Sequence, residues 1–325
     1  MPQRNHIHID KALNNISVAY VQDANNFIAD KVFPIVPVQK QSDRYFVYLK
    51  EDWFRDEAQE RAPATESAGG DYDIDNTPSY FCKKYAYHKD ITEEERTNAD
   101  TPLNSDADAT EFVTHKLLLK REVLWANKFF KPGVWSTDLV GKPSSPGVGE
   151  FLQWDNKDSD PIKLITDAGA SMAGKTGYKP NVLVLGPHVY NALKNHPAIL
   201  ERIKYTEKGI MTAELLASLF EVEKVLTAWA IKNSAPKGAT ENTNFIFGKH
   251  ALLAYAAPKP SLKKPSAGYI FAWTGLLGAG AYGNRILRIP MPHLGLGTER
   301  IEGEMAFDMK VVASDLGIFF SNAVS

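Results

Sequence analysis

With 325 residues, and 37 Lys and Arg set against 39 Asp and Glu, the chain carries a formal net charge of -2, so no global field draws it to nucleic acid or to an acidic surface. A chain of this length buries a sizeable core, as two domains or one elaborate one, and its single cysteine, Cys82, excludes an internal disulfide and fits a reducing compartment. No apolar run nears the ~20 residues that cross a bilayer, and the opening MPQRNHIHID lacks the apolar centre of a signal peptide, which predicts a soluble chain made inside the cell with no membrane partner.

Taken in order, residues 1–39 scatter Leu13, Ile16, Tyr20, Val21, Phe27, Ile28 and Val32 through a segment rich in Asn and Asp. Residues 19–31 allow a short helix. The run Phe33-Pro34-Ile35-Val36-Pro37-Val38 must be extended, because each proline fixes its own φ and pushes its predecessor out of the helical region. Such an arm has little core of its own and must lie along its own subunit or along a neighbour. Residues 44–49, RYFVYL, form a candidate strand, and residues 80–87, YFCKKYAY, its antiparallel partner, with Cys82 a packed strand residue. Between them about thirty residues hold Trp53, Phe54, the charged run Arg55-Asp56-Glu57 and the tract APATESAGGD. Connections of that length are uncommon unless they act or are disordered. This predicts a projecting two-stranded finger, which is marginal in water and needs a surface to lie on.

Residues 105–131 predict one long helix. Ser105 and Asp108 fit a capping box, Asp106 and Glu111 place negative charge at the amino end, Lys128 and Lys131 place positive charge at the other, and Pro132-Gly133 ends it. Its length would be roughly 40 Å. Phe112, Leu119, Val123, Ala126 and Phe130 fall on one side, Val113, Leu117 and Leu124 on a second, and Leu118, Trp125 and Phe129 on a third. Three apolar stripes demand several partners, either one enclosing domain or partly other copies of the chain.

After a loop rich in Gly, Pro and Ser, Asp160 and Pro161 open a helix to about Met172. The run VLVLG is a buried strand, residues 187–195 and 212–220 are helices, and residues 222–230 fit helix or strand. With strands at 245–247 and 252–255, this portion is mixed α/β. The tail is β: residues 285–289, 298–312 and 316–320, the middle one alternating Ile301, Gly303, Met305, Phe307, Met309 and Val311 against polar positions. A strand that long with one wet side belongs to an antiparallel sheet with one face packed down.

Two short motifs fail on context. Gly169 to Thr176, GASMAGKT, satisfies the phosphate-loop pattern, but a helix precedes it and GYKPN follows, the reverse of the strand and helix a phosphate cradle needs. Gly174 and Gly177 are explained as a helix terminus. Gly278, Gly280 and Gly283 match the dinucleotide pattern but lead into NRILRIP, a strand, so a flexible or hinge loop is the better account. The eight histidines have no metal-ligand spacing, and no nucleophile elbow or paired-carboxylate signature is present. No catalytic, cofactor-binding or metal-binding residue is therefore predicted.

The arm ending in DKVFPIVPV, the finger with RYFVY going out and YFCKKYAYHKDI coming back, the helix ATEFVTHKLLLKREVLWANKFF, the helix DPIKLITDA feeding PNVLVLG and the long-stranded β tail together resemble the major capsid proteins of tailed bacteriophages, over essentially the whole chain. The resemblance implies an α+β fold of the Hong Kong 97 phage type. Residues 1–40 would be the N-arm, 41–97 the E-loop β-hairpin, 98–179 and 284–312 the P-domain with its spine helix at 105–131 and antiparallel sheet, and 180–283 with 313–325 the A-domain. It implies pentamers and hexamers of this chain closing into an icosahedral head around double-stranded DNA that is contacted non-specifically. Trp53, Phe54, Arg55, Asp56, Glu57, Phe33 and Ile35 are the candidate contacts between subunits, at interfaces that commonly bury over ~2,000 Å². Because the chain starts almost directly with the arm, a separate scaffold protein is expected, together with a portal, and the protein would sit in the virion capsid after assembly in the host cytoplasm. Lys50, Lys83 and Lys84 lie by the finger, but no motif assigns a covalent crosslink. Encapsulin shells share the fold and are the alternative. From a different class, so is a nucleotide-binding enzyme using Gly169 to Thr176, and a tail or adhesive structural protein is a third reading.

Overall fold

A computed structural model describes residues 22–48, 50–99, 104–203, 212–260, 264–276, 279–280 and 283–325. Its axis is the helix Ser105–Phe129, 25 residues long, hereafter the spine. The cap is Asn104, one residue earlier than predicted. Its side chain accepts from the Ala107 N–H, and Asp106 and Asp108 sit in the first turn against the helix dipole. Phe130 closes the other end.

The stripe carrying Val113 and Leu117 packs on a five-stranded sheet. At its centre is the thirteen-residue strand Glu299–Val311. Lys83–Ile91 pairs antiparallel along one edge of it, and Gly268–Trp273 and Asn284–Pro290 lie end to end along the other. Ile35–Val38 completes the sheet, parallel to Gly268–Trp273. Gly303 lets the helix approach. A Cβ there would lie 2.5 Å from Val113 Cγ1 and 2.7 Å from Leu117 Cδ1, so only a bare Cα fits between strand and spine. Around the sheet, charge is paired across strands. Arg300 grips Asp90 with two hydrogen bonds, Arg285 and Lys84 meet the buried Glu304, and Arg96 joins Asp106 to Glu299.

The carboxyl half of the spine packs on a second sheet, ordered Lys224–Thr227, Val182–Leu185, Ala251–Ala254, Gly317–Ser321, Thr137–Lys142 and Glu150–Leu152. The run VLVL is buried at every position because both faces are covered. Val182, Val184, Leu252 and Phe319 turn toward Trp125 and Phe129, while Leu183, Leu185, Leu253 and Phe320 turn toward the helices Pro161–Thr176, Pro187–Lys194 and Ala213–Leu219. The ambiguous segment 222–230 forms the strand Lys224–Thr227, parallel to Val182–Leu185.

Several expectations change. Only Ser79–Phe81 returns beside the outgoing Ser42–Arg44, with a second pairing of Val47–Tyr48 to Ile74–Asp75 farther out. Beyond the buried Cys82 the chain leaves the finger, and Lys83–Ile91 joins the central sheet, where a longer partner is on offer. The sheets also cut the chain differently from the expected boundaries. Thr137–Lys142 and Glu150–Leu152, placed with the P-domain, hydrogen-bond into the sheet of Val182–Leu185. Gly268–Trp273, placed with the A-domain, belongs to the sheet under the spine. The short helix expected at 19–31 is a 3-10 turn, Ala24–Asn26, and one helical turn, Ala29–Val32; its first three positions lie outside the described residues. The strand expected at 245–247 falls at Thr243–Phe245, paired with Ile231–Asn233, and Phe247 is buried in the core instead. The expected hinge loop of residues 275–283 is described only in part.

Candidate contact surfaces

The arm and the finger, both predicted to lack a core, meet different fates. The arm crosses the spine and is buried on it: Phe27, Ile28, Val32 and Phe33 are each 2% exposed. Phe33 lies between Trp125 and Phe129, with ring centroids 5.7 and 4.8 Å away, and reaches Trp135. Gln22 exchanges two hydrogen bonds with the backbone of Ile231, and Asp30 pairs with Arg121 at 3.2 Å. Phe33 is therefore removed from the candidate contacts between subunits, since its ring is in the protomer's own core. Ile35 is half-buried in a strand paired to Ile270.

On the finger the large side chains face out. Trp53 is 55% exposed, Phe54 59%, Phe46 59% and Phe81 53%, with Tyr72 and Ile74 beside them. Trp53 lies against Tyr48 and Tyr72, with centroids 6.1 and 5.7 Å away, a small cluster with no core beneath it. Arg55 sits 3.8 Å from both Asp52 and Glu57, and Asp56 is exposed. The tip touches the body lightly. Lys50 pairs with Asp315, and the Phe54 ring comes within 3.5 Å of where a Cβ on Gly177 would stand. Phe46, Tyr72, Ile74 and Phe81 were not among the sequence candidates. Phe81 was accessible to strand alternation, because Tyr80 and Cys82 on either side of it are buried. A second exposed apolar site, Leu294 and Leu296 in the turn before the long strand, gave no sequence signal beyond its glycines.

The remaining stripe of the spine is partly open. Phe112 is exposed, and Leu119 and Val123 are half-buried. Lys116 stands over the Phe112 ring and Lys120 over Tyr85.

The groups that suggest chemistry are committed elsewhere. Gly169 to Thr176 lies inside the helix Pro161–Thr176, where backbone N–H groups are spent on carbonyls one turn back and cannot cradle a phosphate. Thr176 Oγ1 donates to the Met172 carbonyl, and Gly177, at φ 73°, forms the left-handed cap. The phosphate-loop reading fails on this geometry. Gly174 is interior to the helix rather than at its end. Ser159 and His196 approach to 3.1 Å, but the Ala198 N–H donates to His196 Nδ1, so Nε2 carries the proton and cannot serve as a base toward the serine. Burial pushes the Cys82 thiol up to about 11, which keeps it protonated and unreactive. Among the described residues no cluster of His, Cys, Asp and Glu could hold a metal ion, and no helix is long and apolar enough to cross a membrane.

Residues 152–258 match the family described as phage major capsid protein E. The chain is similar to the major capsid protein of Pseudomonas phage JBD67, 29% identical over 321 residues that cover 98% of this chain and 97% of the relative. It is also similar to that of Burkholderia phage BcepMu, 29% identical over 253 residues, 76% of each. Among solved structures, a phage-related protein of Bordetella bronchiseptica RB50 has the same fold, with a TM-score of 0.68 at 22% identity over 92% of each chain. The capsid of cyanophage P-SCSP1u follows at 0.57 and 10% identity, over 98% of this chain and 93% of that one. An encapsulin of Synechococcus elongatus PCC 7942 gives 0.56 at 10% identity, over 96% and 93%.

Proposed function

We propose that this chain is a structural capsid protein of the phage major capsid protein family, with the Hong Kong 97-type fold, and that its copies, as pentamers and hexamers, close into the icosahedral head around the double-stranded DNA of a tailed phage. The observation that carries this reading is the finger. Trp53, Phe54, Phe46 and Phe81 expose more than half of their surface on a ribbon that is packed only at its base, where Tyr80 and Tyr45 lie on Phe271. Exposed apolar clusters of this kind mark protein contact sites, and a neighbouring subunit supplies the missing cover. Residues 53–57 then form the outer part of the contact, with Arg55 free to trade its long pairings to Asp52 and Glu57 for a partner's carboxylate.

The E-loop corresponds to the finger, the P-domain to the spine with its five-stranded sheet, and the A-domain to the second sheet with its helices. The near-neutral chain confines DNA without gripping it. A separate scaffold protein and a portal complete the head, which forms in the host cytoplasm, and no step of this role calls for catalysis. Likeness to an encapsulin is a likeness of fold alone, whereas the relatives at 29% identity are phage capsid proteins.

Deleting residues 53–76 is expected to leave a folded, soluble protomer that forms no closed particles in negative stain, while the intact chain forms shells holding nuclease-protected DNA in infected cells. Normal closure of the deleted chain would remove the finger as an interface. Shells that carry protein cargo and no DNA would favour the encapsulin reading, and fibres or rings a tail protein.

A further inference from the structure

Glu122 lies mid-spine on the side that the arm crosses, and it is fully buried. Its carboxyl oxygens divide between two backbone donors, the N–H of Ile28 to Oε1 and the N–H of Ala29 to Oε2, both at 2.9 Å. These are the free amino-terminal donors of the turn Ala29–Val32, whose capping residue, Ile28, has no side-chain acceptor to offer. A carboxylate from the spine takes the place of the missing cap.

The charges facing it come from three elements. On the spine, Arg121 is engaged with Asp30 at 3.2 Å, and His115 touches the Phe27 ring edge-on. From the arm come Asp30 and Lys31. From the second sheet, Lys224 donates to the carbonyl of Lys31. Among the described residues Glu122 makes no ion pair of its own, and Arg121, which favours its ionised form, is engaged with Asp30, so that form is held chiefly by the two N–H groups in a fully buried site. We propose that Glu122 is a protonation-controlled latch between arm and spine, gripping the arm more tightly when its carboxyl carries a proton.

The direction follows from linkage. Burial, opposed by the two N–H bonds and Arg121 and assisted by Asp30, pushes the Glu122 carboxyl from its ordinary 4.5 up to about 7. With the arm lifted away the carboxyl meets water and returns toward its ordinary value. The docked state therefore binds the proton more strongly, so docking is tightest at acid pH and weakens as pH rises through about 7, by a factor on the order of 100. His115 would act in the opposite sense. Burial and Lys116 hold its pKa below the ordinary value, so its protonation would loosen the arm toward acid.

Hydrogen exchange on the full chain between pH 5.5 and 8.5, corrected for intrinsic rates and referred to the strand Val182–Leu185, tests this. Protection at Ile28 and Ala29 is expected to fall at least tenfold from the acid to the alkaline end, and to lose that slope in Glu122→Gln. Asp30→Asn removes a charge that raises the Glu122 pKa, so its midpoint should move to lower pH even if the glutamine variant fails to fold. A flat wild-type profile, a slope that survives Glu122→Gln, a slope of opposite sign, or an unmoved midpoint in Asp30→Asn would each overturn the latch.

Discussion

The arm and the finger start from the same deficit, short extended segments with large apolar side chains and no sheet of their own, yet the protomer completes one and leaves the other open. The arm's apolar residues converge on one socket. Phe33 enters a ring of Trp125, Phe129 and Trp135, and the stray N–H groups of its helical turn meet Glu122. The finger docks only at its base, where Tyr80 stacks on Phe271 and the Phe81 N–H donates to Asp308; farther out its residues diverge from the ribbon, and the tip meets the body through an ion pair and one ring edge. A segment that lacks a core in sequence is thus not yet an interface. It becomes one when the rest of its own chain offers no socket.

The largest effect that bears on this contrast is Phe33→Ala, expected to cost the isolated protomer about 3–5 kcal/mol in a denaturant melt, the range for emptying a closed aromatic site. A wild-type melt for that variant would erase the difference between arm and finger. Replacing both Trp53 and Phe54 by Ser should leave the protomer's melt within about 1 kcal/mol, as for exposed positions. Assembly should suffer, with subunit association weakened by about 2 kcal/mol or more if these are anchor residues. Light scattering against protein concentration separates the two readouts. The smallest effect is expected in the central sheet, beyond the finger, where Arg300 holds Asp90 in a partly exposed pair. Arg300→Ala should cost the least of the three, as for a solvent-screened ion pair. The Arg300 hydrogen bond holds the Asp90 carboxyl below its ordinary value, so this contribution is present above the ordinary value and disappears as pH falls through the lowered one. An acid titration of stability in wild type and variant should therefore converge at low pH.

Much of the molecule was legible in the residues. Capping and periodicity placed the spine to within two residues of its end, and alternation found the long strand Glu299–Val311 as a platform for it. The run VLVL read correctly as a buried strand, because a segment apolar at every position has no wet side to show. The finger's exposed tip was half legible. Trp53 and Phe54 stood out as aromatics in a charged loop, but Phe46, Tyr72 and Ile74 needed the pairing of Val47–Tyr48 with Ile74–Asp75 to bring them to one ribbon.

What the sequence alone determined were the properties carried by neighbours along the chain: where helices begin and stop, which strands are wet on one side, and that GASMAGKT has the wrong flanks to hold a phosphate. Tertiary structure alone decided the matters that depend on partners far apart in the chain. It sent Lys83–Ile91 to the long strand rather than back along the finger, set Gly268–Trp273 in the sheet beneath the spine, and lodged Phe33 against Trp125 with Glu122 capping the turn beside it. Local patterns fix the shape of an element, but burial is a property of pairs of surfaces, and the second surface of each pair is named only once the chain has folded.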